Sequence, residues 1–209
     1  MTMPPSLSSG GACMNKEEHV YNDMSASVCR LMKAKPIIKK MLGGGDIVQV
    51  EEIDNEVCAM LDRSLGIDYF QVYEDKGKQP GFAWGLASRF QVGKSWDTFT
   101  IRKERESGAS TEYDKRKKAI EKNGVYPYLT VQGYVSDDGL EEIKSMAIAR
   151  TKDIFECIDA DLCSTNHTRR NQIGQAGFFV VKWDDMKGRY PIVIYSNGEI
   201  KTYAVSEPS

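Results

Sequence analysis

The sequence predicts an α/β fold: a mixed, mostly antiparallel sheet flanked by helices. Three observations carry this expectation. Two apolar runs, Ile67–Tyr73 and Phe82–Gln91, flank a polar break containing Gly77, Pro80 and Gly81, and a third run, Thr98–Lys103, follows the turn Lys94–Asp97. Runs joined by such short links predict three strands in an antiparallel meander. Before and after these runs lie stretches in which apolar residues recur at helical spacing. Asn197-Gly198, between Ile192–Ser196 and Glu199–Tyr203, is the strongest hairpin signal in the chain.

In order, residues 1–16 read as a disordered tail rich in Pro, Ser and Gly, and residues 17–205 as one domain. Tyr21–Lys33 has a rough apolar stripe of Met24, Val28, Leu31 and Met32. Pro36 is expected to break or restart this helix, and Ile37–Leu42 adds a turn or two before Gly43-Gly44-Gly45. No GK[ST] follows that triplet, so it reads as a connector and not a phosphate loop. Val50–Arg63 is a second helix, with Ile53, Val57, Met60 and Leu61 as its buried face and Gly66 at its close. After the three strands, Thr111–Lys122 is a charged helix capped by Ser110 or Thr111, with Tyr113, Ala119 and Ile120 as core candidates. Tyr128–Val135 is a strong strand, Asp138-Gly139 a turn, and Ser145–Arg150 a fifth strand. Thr151 then caps a short helix, Lys152–Ile158. Asp161–Gly174 reads as a polar loop, Gly177–Trp183 as a buried strand, and residues from Ser206 as a frayed end. The core spans about 50–160, with a C-terminal β extension over 177–205 that is either more sheet or a dimer surface.

Composition bounds the function. A chain of 209 residues, 41% hydrophobic and 28% charged, is long enough for a real core and has the balance of a soluble globular protein. No apolar run approaches a membrane span. The N-terminus lacks a basic segment followed by an apolar one, so no secretory signal is expected. Cys13, Cys29, Cys58, Cys157 and Cys163 form no CxxC pair, and His19 and His167 lie far apart. Reduced thiols in a cytoplasmic protein are the plain reading, without structural zinc. A net charge of −2 argues against coating nucleic acid by bulk charge, but leaves room for a local basic groove. GxSxG, HExxH and GxGxxG are absent.

The residue that stands out is Asp68, a carboxylate between Ile67 and Tyr69 in an apolar run. Burying it costs several kcal/mol, on the order of a lost charge–water interaction, unless a metal ion or an arginine compensates. Arg89 on the next strand is one such partner. Period-2 geometry puts Ala87, Arg89 and Gln91 on one face of that strand. On the charged helix, Glu112 shares a face with Lys115 and Arg116, three and four residues on. Glu112 and Arg116 also make an ordinary surface ion pair in the plain reading. Arg102, Lys103 and Arg105, the run Lys115–Lys118, and Arg169 and Arg170 near His167 and Asn171 could together line a groove for phosphates. Tyr126, Tyr128 and Trp96 are available to stack on bases. Gln132, mid-strand beside Val131, leans toward the same site.

Over Val50–Val135 the order helix, three strands, helix, strand resembles the core of the PD-(D/E)XK nuclease superfamily. Gly66-Ile67-Asp68 resembles that superfamily's glycine–hydrophobic–aspartate strand, which carries its first metal-binding aspartate. The resemblance implies a restriction-endonuclease-like core and metal-dependent action on DNA phosphodiesters with Mg²⁺ or Mn²⁺. The superfamily's acid-x-lysine motif would fall at Ala87–Gln91, where this chain offers Arg89 and Gln91. Some members supply the second acid from the following helix, as Glu112 would here. Asp68 and Glu112 are then the metal ligands. Arg89, Gln91 and Lys115 position the scissile phosphate or water, and Arg102, Lys103, Arg116, Arg169 and Arg170 bind DNA. The alternative is a catalytically inactive nuclease-fold binding module or accessory factor of a phage or mobile element, serving nucleic acid or a protein partner. A homodimer is compatible with either reading, and a membrane with neither.

Overall fold

Ten strands and four described helices form two sheets and their cover. The computed structural model describes residues 30, 32–50, 56, 60–74, 80–137, 142–167 and 176–205. Residues 32–41 form helix α1, which runs through Pro36. The proline therefore does not end the helix. Burial of Ala34, Ile38 and Met41 offsets the hydrogen bond that Pro36 cannot donate. The glycine triplet follows with φ of +76°, +126° and +75°, values that a side chain would strain, so the chain turns sharply into strand β1, Asp46–Gln49.

Of the second expected helix, residues 51–55 and 57–59, including Ile53 and Val57, lie outside the described residues. Met60, expected on its buried face, is 53% exposed. The described end is a π-helical turn, Leu61–Leu65, closed by Gly66 at φ +66°, as the sequence suggests. Strand β2 is Tyr69–Glu74, β3 is Pro80–Val92 and β4 is Thr98–Arg105. Helix α2, Glu112–Glu121, starts at Thr111. Then come β5 (Leu129–Val135), β6 (Ile143–Arg150), helix α3 (Thr151–Asp159), β7 (Ser164–His167), β8 (Ala176–Lys182), the short α4 (Trp183–Met186), β9 (Ile192–Ser196) and β10 (Glu199–Tyr203).

The expected class holds: the fold is α/β, with a mixed, mostly antiparallel sheet flanked by helices. The main sheet runs β1-β2-β3-β5-β6-β9-β10, and among its neighbours β3 and β5 alone are parallel. The meander needs correcting. β4 leaves this sheet and pairs with β8 in a second one, ordered β4-β8-β7. Gly93 at φ +103° and Asp97 at φ +49° swing the chain out of the sheet, and the edge of β3 goes to β5. Phe99 and Ile101 of β4 then pack with Tyr134, Ala147, Ile192 and Val181 between the sheets, and α3 adds Ile154 and Phe155.

Smaller differences have local causes. Ser164–His167, expected as loop, is a strand because β8 offers it an edge. Thr151 is the first residue of α3 and not its cap; its hydroxyl is buried against Thr130 at 2.9 Å. The C-terminal region is an extension of the sheet: β9 pairs with β6, and β10 with β9. The Asp138-Gly139 turn, the tail and the end from Ser206 lie outside the described residues.

On the other face of the main sheet, α1 covers Tyr69, Leu86, Val131, Met146 and Ile148. Phe90 joins this layer, and its ring lies over Gly133, the residue opposite it in register. A Cβ on Gly133 would stand 2.5 Å from that ring, so the glycine makes the room the phenylalanine needs.

Candidate functional site

Register builds the site. Tyr69 of β2 faces Leu86 of β3, so Ser88 lies just beyond the β2 ladder. The Asp68 carboxylate fills that place. Its Oδ2 accepts from the Ser88 backbone N–H and from Ser88 Oγ, the latter at 2.8 Å. Asp68 is therefore held by a serine, and not by Arg89 as one reading of the sequence supposes.

Arg89 points the other way, toward β4 and α2. Its Nη1 donates to the Thr100 carbonyl at 2.9 Å and its Nη2 to Glu112 Oε2 at 2.7 Å. The guanidinium lies 5.3 Å from the centre of the Phe178 ring. Thr100 Oγ1 in turn donates to Gln132 Oε1 at 3.0 Å, so Gln132 is a buried brace between sheets and not a site residue.

Glu112 is the first residue of α2, and the cap fixes where it stands. Thr111 Oγ1 accepts from the Asp114 N–H, and the Asp114 carboxylate accepts from the Thr111 N–H at 2.8 Å. One turn on, Arg116 is buried with its Nη1 2.6 Å from Glu112 Oε1. That contact is close in distance, but the nitrogen has no aligned acceptor, so charge attraction and not a directed hydrogen bond binds the two. The Arg102 N–H also donates to Glu112 Oε2, at 3.3 Å. The plain expectation of a surface pair between Glu112 and Arg116 is corrected: Arg116 is buried, and Glu112 and Arg89 beside it are half-buried.

Electrostatics follow from this packing. Burial alone would raise the Glu112 carboxyl, but Arg89 and Arg116, helped by the Arg102 N–H, hold it below the ordinary range. Burial pulls Arg116 down, with Glu112 working against it. Arg102 is lowered by burial and then by Arg89 and Arg105 beside it. Arg102 and Arg116 nevertheless remain cations at neutral pH, because the guanidinium's own value lies so high.

These groups line a cleft of about 210 Å³, formed by Ser64, Leu65 and Gly66 on one side and by Asp68, Ser88, Arg89, Arg105, Glu112, Lys115 and Arg116 on the others. Of the residues expected at the site, Asp68, Arg89, Glu112, Lys115 and Arg116 come together here. Gln91 does not line the cleft. Arg102 sends its backbone toward Glu112 and its guanidinium over Phe178, 5.6 Å from the ring centre. Lys103 is engaged elsewhere, 3.2 Å from Glu104 and over Phe179. Arg169 and Arg170 lie outside the described residues. Of the aromatics, Trp96 is 62% exposed with the Lys94 ammonium over it, whereas Tyr128 is stacked on Trp84 at 4.2 Å.

Sequence reasoning missed Ser88, and met Arg105 only within a basic run. Neither carries a pattern of its own. Ser88 matters because the β2 ladder stops at Tyr69, and Arg105 because β4 ends beside α2.

A divalent cation does not fit the donor set as arranged. Both Glu112 oxygens are engaged by guanidiniums, and Asp68 Oδ2 is engaged by Ser88. An ion bridging the two acids would also meet four cations lining the same cleft. Among the described residues, no group of three or more His, Cys, Asp or Glu side chains is placed to hold a metal. No family model, no curated protein and no solved structure matches this chain. Among the described residues, no helix is long and apolar enough to cross a membrane.

Proposed function

We propose that this chain is a nucleic-acid-binding module, with DNA as its partner, whose cleft seats a DNA phosphate without cutting it. The observation that carries this reading is the charge of the cleft. Arg89, Arg105, Lys115 and Arg116 face two carboxylates, which leaves an excess of two positive charges. Arg105 and Lys115 are exposed at its mouth, and neither has an ion-pair partner among the described residues. A cleft with a net positive charge and unpaired donors attracts an oxyanion, and charge-assisted hydrogen bonds hold it. In this reading β1-β2-β3, the crossover helix α2 and the parallel strand β5 form the restriction-endonuclease-like core, with its acid-x-lysine strand turned over to Ser88 and Arg89.

A second reading, metal-dependent cleavage of DNA, is favoured by one observation: Asp68, just before β2, and Glu112 and Lys115, both on α2, converge on the same cleft. It requires Glu112 to leave its arginines.

One experiment separates the two. Duplex DNA is titrated with the protein over a range of salt concentrations, and the same DNA is incubated with Mg²⁺ or Mn²⁺. Binding is expected to weaken steeply with salt. The log–log slope should fall by about 0.9 for each phosphate that Arg105→Ala or Lys115→Ala leaves without its cation. Metal-dependent cutting that disappears in Asp68→Ala overturns the binding-only reading in favour of the nuclease. Absence of any salt-dependent retention overturns both.

A further inference from the structure

We propose that the oxyanion this cleft is built for is a terminal phosphate, the monoester at a strand end, and not an internal diester. The proposal rests on the reading above and narrows its ligand.

Charge is the first argument. A diester phosphate carries one negative charge. A terminal phosphate carries nearly two at neutral pH, because its second proton leaves near pH 6. Among its described lining residues the cleft holds an excess of two positive charges, one of them on the buried Arg116. An internal diester would leave one of those charges uncompensated, whereas a terminal phosphate neutralises both.

Donor count is the second argument. Arg89 is already engaged at both ends of its fork, with Nη1 on Thr100 and Nη2 on Glu112. Three cations have donors left: Arg105 and Lys115 at the mouth, and deeper Arg116, which lines the cleft and whose Nη1 alone lies against Glu112. A monoester offers three non-bridging oxygens, one for each of these cations; a diester offers two. Glu112 has its own part in this. It draws Arg89 and Arg116 together and sets the floor on which the phosphate would rest.

The test uses one labelled oligonucleotide sequence in three forms: with a 5′-phosphate, with a 3′-phosphate, and with hydroxyl at both ends. Binding is read by fluorescence anisotropy at fixed salt. One of the phosphorylated forms is expected to bind at least about tenfold tighter than the hydroxyl form, and which of the two does so gives the polarity. Inorganic phosphate in the millimolar range should compete with that form, and the advantage should vanish in Arg105→Ala and Lys115→Ala. Both side chains are exposed, so melting curves of the variants are expected to match the parent. Equal binding of all three forms, weakened alike by the two substitutions, overturns the terminal-phosphate proposal and leaves the binding module standing. If no form binds, both fall.

Discussion

Strand β3 has two faces, and they are held by different forces. On one, Leu86 and Phe90 pack beneath α1 with Tyr69, Val131, Met146 and Ile148, all apolar. On the other, Arg89 reaches across to β4 and α2 and joins Glu112, Arg116 and Thr100. The first face is stabilised by area removed from water, a force without direction, so other residues of similar shape would serve. The second depends on each group keeping its partner. A buried ion cluster is rarely the most stable filling for its space, since well-packed apolar residues of similar volume do as well or better. The charges behind β3 therefore call for an explanation other than stability, and an oxyanion in the cleft supplies one.

Glu112→Ala breaks this comparison hardest. It leaves Arg89 and Arg116 facing each other without the carboxylate between them, and removing one member of a buried ion cluster costs about 3–5 kcal/mol. Urea unfolding at pH 7 measures it; a loss under about 1 kcal/mol would show that the cluster is solvated and the comparison overdrawn. The pH dependence gives a second reading of the same residue. The Glu112 carboxyl sits below its ordinary value in the folded chain, because Arg89 and Arg116 outweigh the effect of burial. Its contribution is therefore present above the unfolded value of about 4.3, and is lost as pH falls through the depressed folded value. Glu112→Gln should flatten that acid-side drop while leaving the slope above pH 6 unchanged.

Leu86→Ala tests the opposite face. Leu86 is fully buried, and its truncation should cost about 2–5 kcal/mol through lost burial and the cavity left behind. DNA binding at a temperature where the variant is folded should match the parent, because the apolar layer touches no ligand. If binding fell with Leu86→Ala as much as with Arg105→Ala, the division of labour between the two faces would not hold.

How much of this the sequence could show differs between the faces as well. The apolar face was legible, because alternation in Ile67–Tyr73 and Phe82–Gln91 marks strands, and the helical stripes mark their cover. Asp68, Arg89, Glu112, Lys115 and Arg116 were legible as candidates, because a charge in an apolar setting and a shared helix face are local patterns. What those charges do to one another was not. The pairing of Arg89 with Glu112 depends on β4 leaving the sheet, and that depends on left-handed residues at Gly93 and Asp97 and on β5 taking the β3 edge. A meander and a second sheet begin with the same three apolar runs. Gln91 shows the limit of period-2 reasoning: it shares Arg89's row on the strand, but the cleft ends before it.

Thr111→Ala is the smallest of the expected effects and the most selective. The Thr111 hydroxyl accepts from the Asp114 N–H at 3.3 Å and donates to the Asp114 carboxylate at 2.9 Å, while the other half of the cap is the Thr111 backbone N–H on that carboxylate. Losing such a cap costs about 1 kcal/mol. The residue after it is Glu112, so fraying of the first turn would loosen the carboxylate that gathers the arginines. Thr111→Ala should therefore weaken oligonucleotide binding and lower the melting temperature by about 2–4 °C, and Thr111→Ser, which keeps the hydroxyl, should restore both. A cap that mattered to the helix alone would give the stability loss and its rescue but leave binding unchanged, and the charged face of β3 would then owe its geometry to the sheets and not to α2.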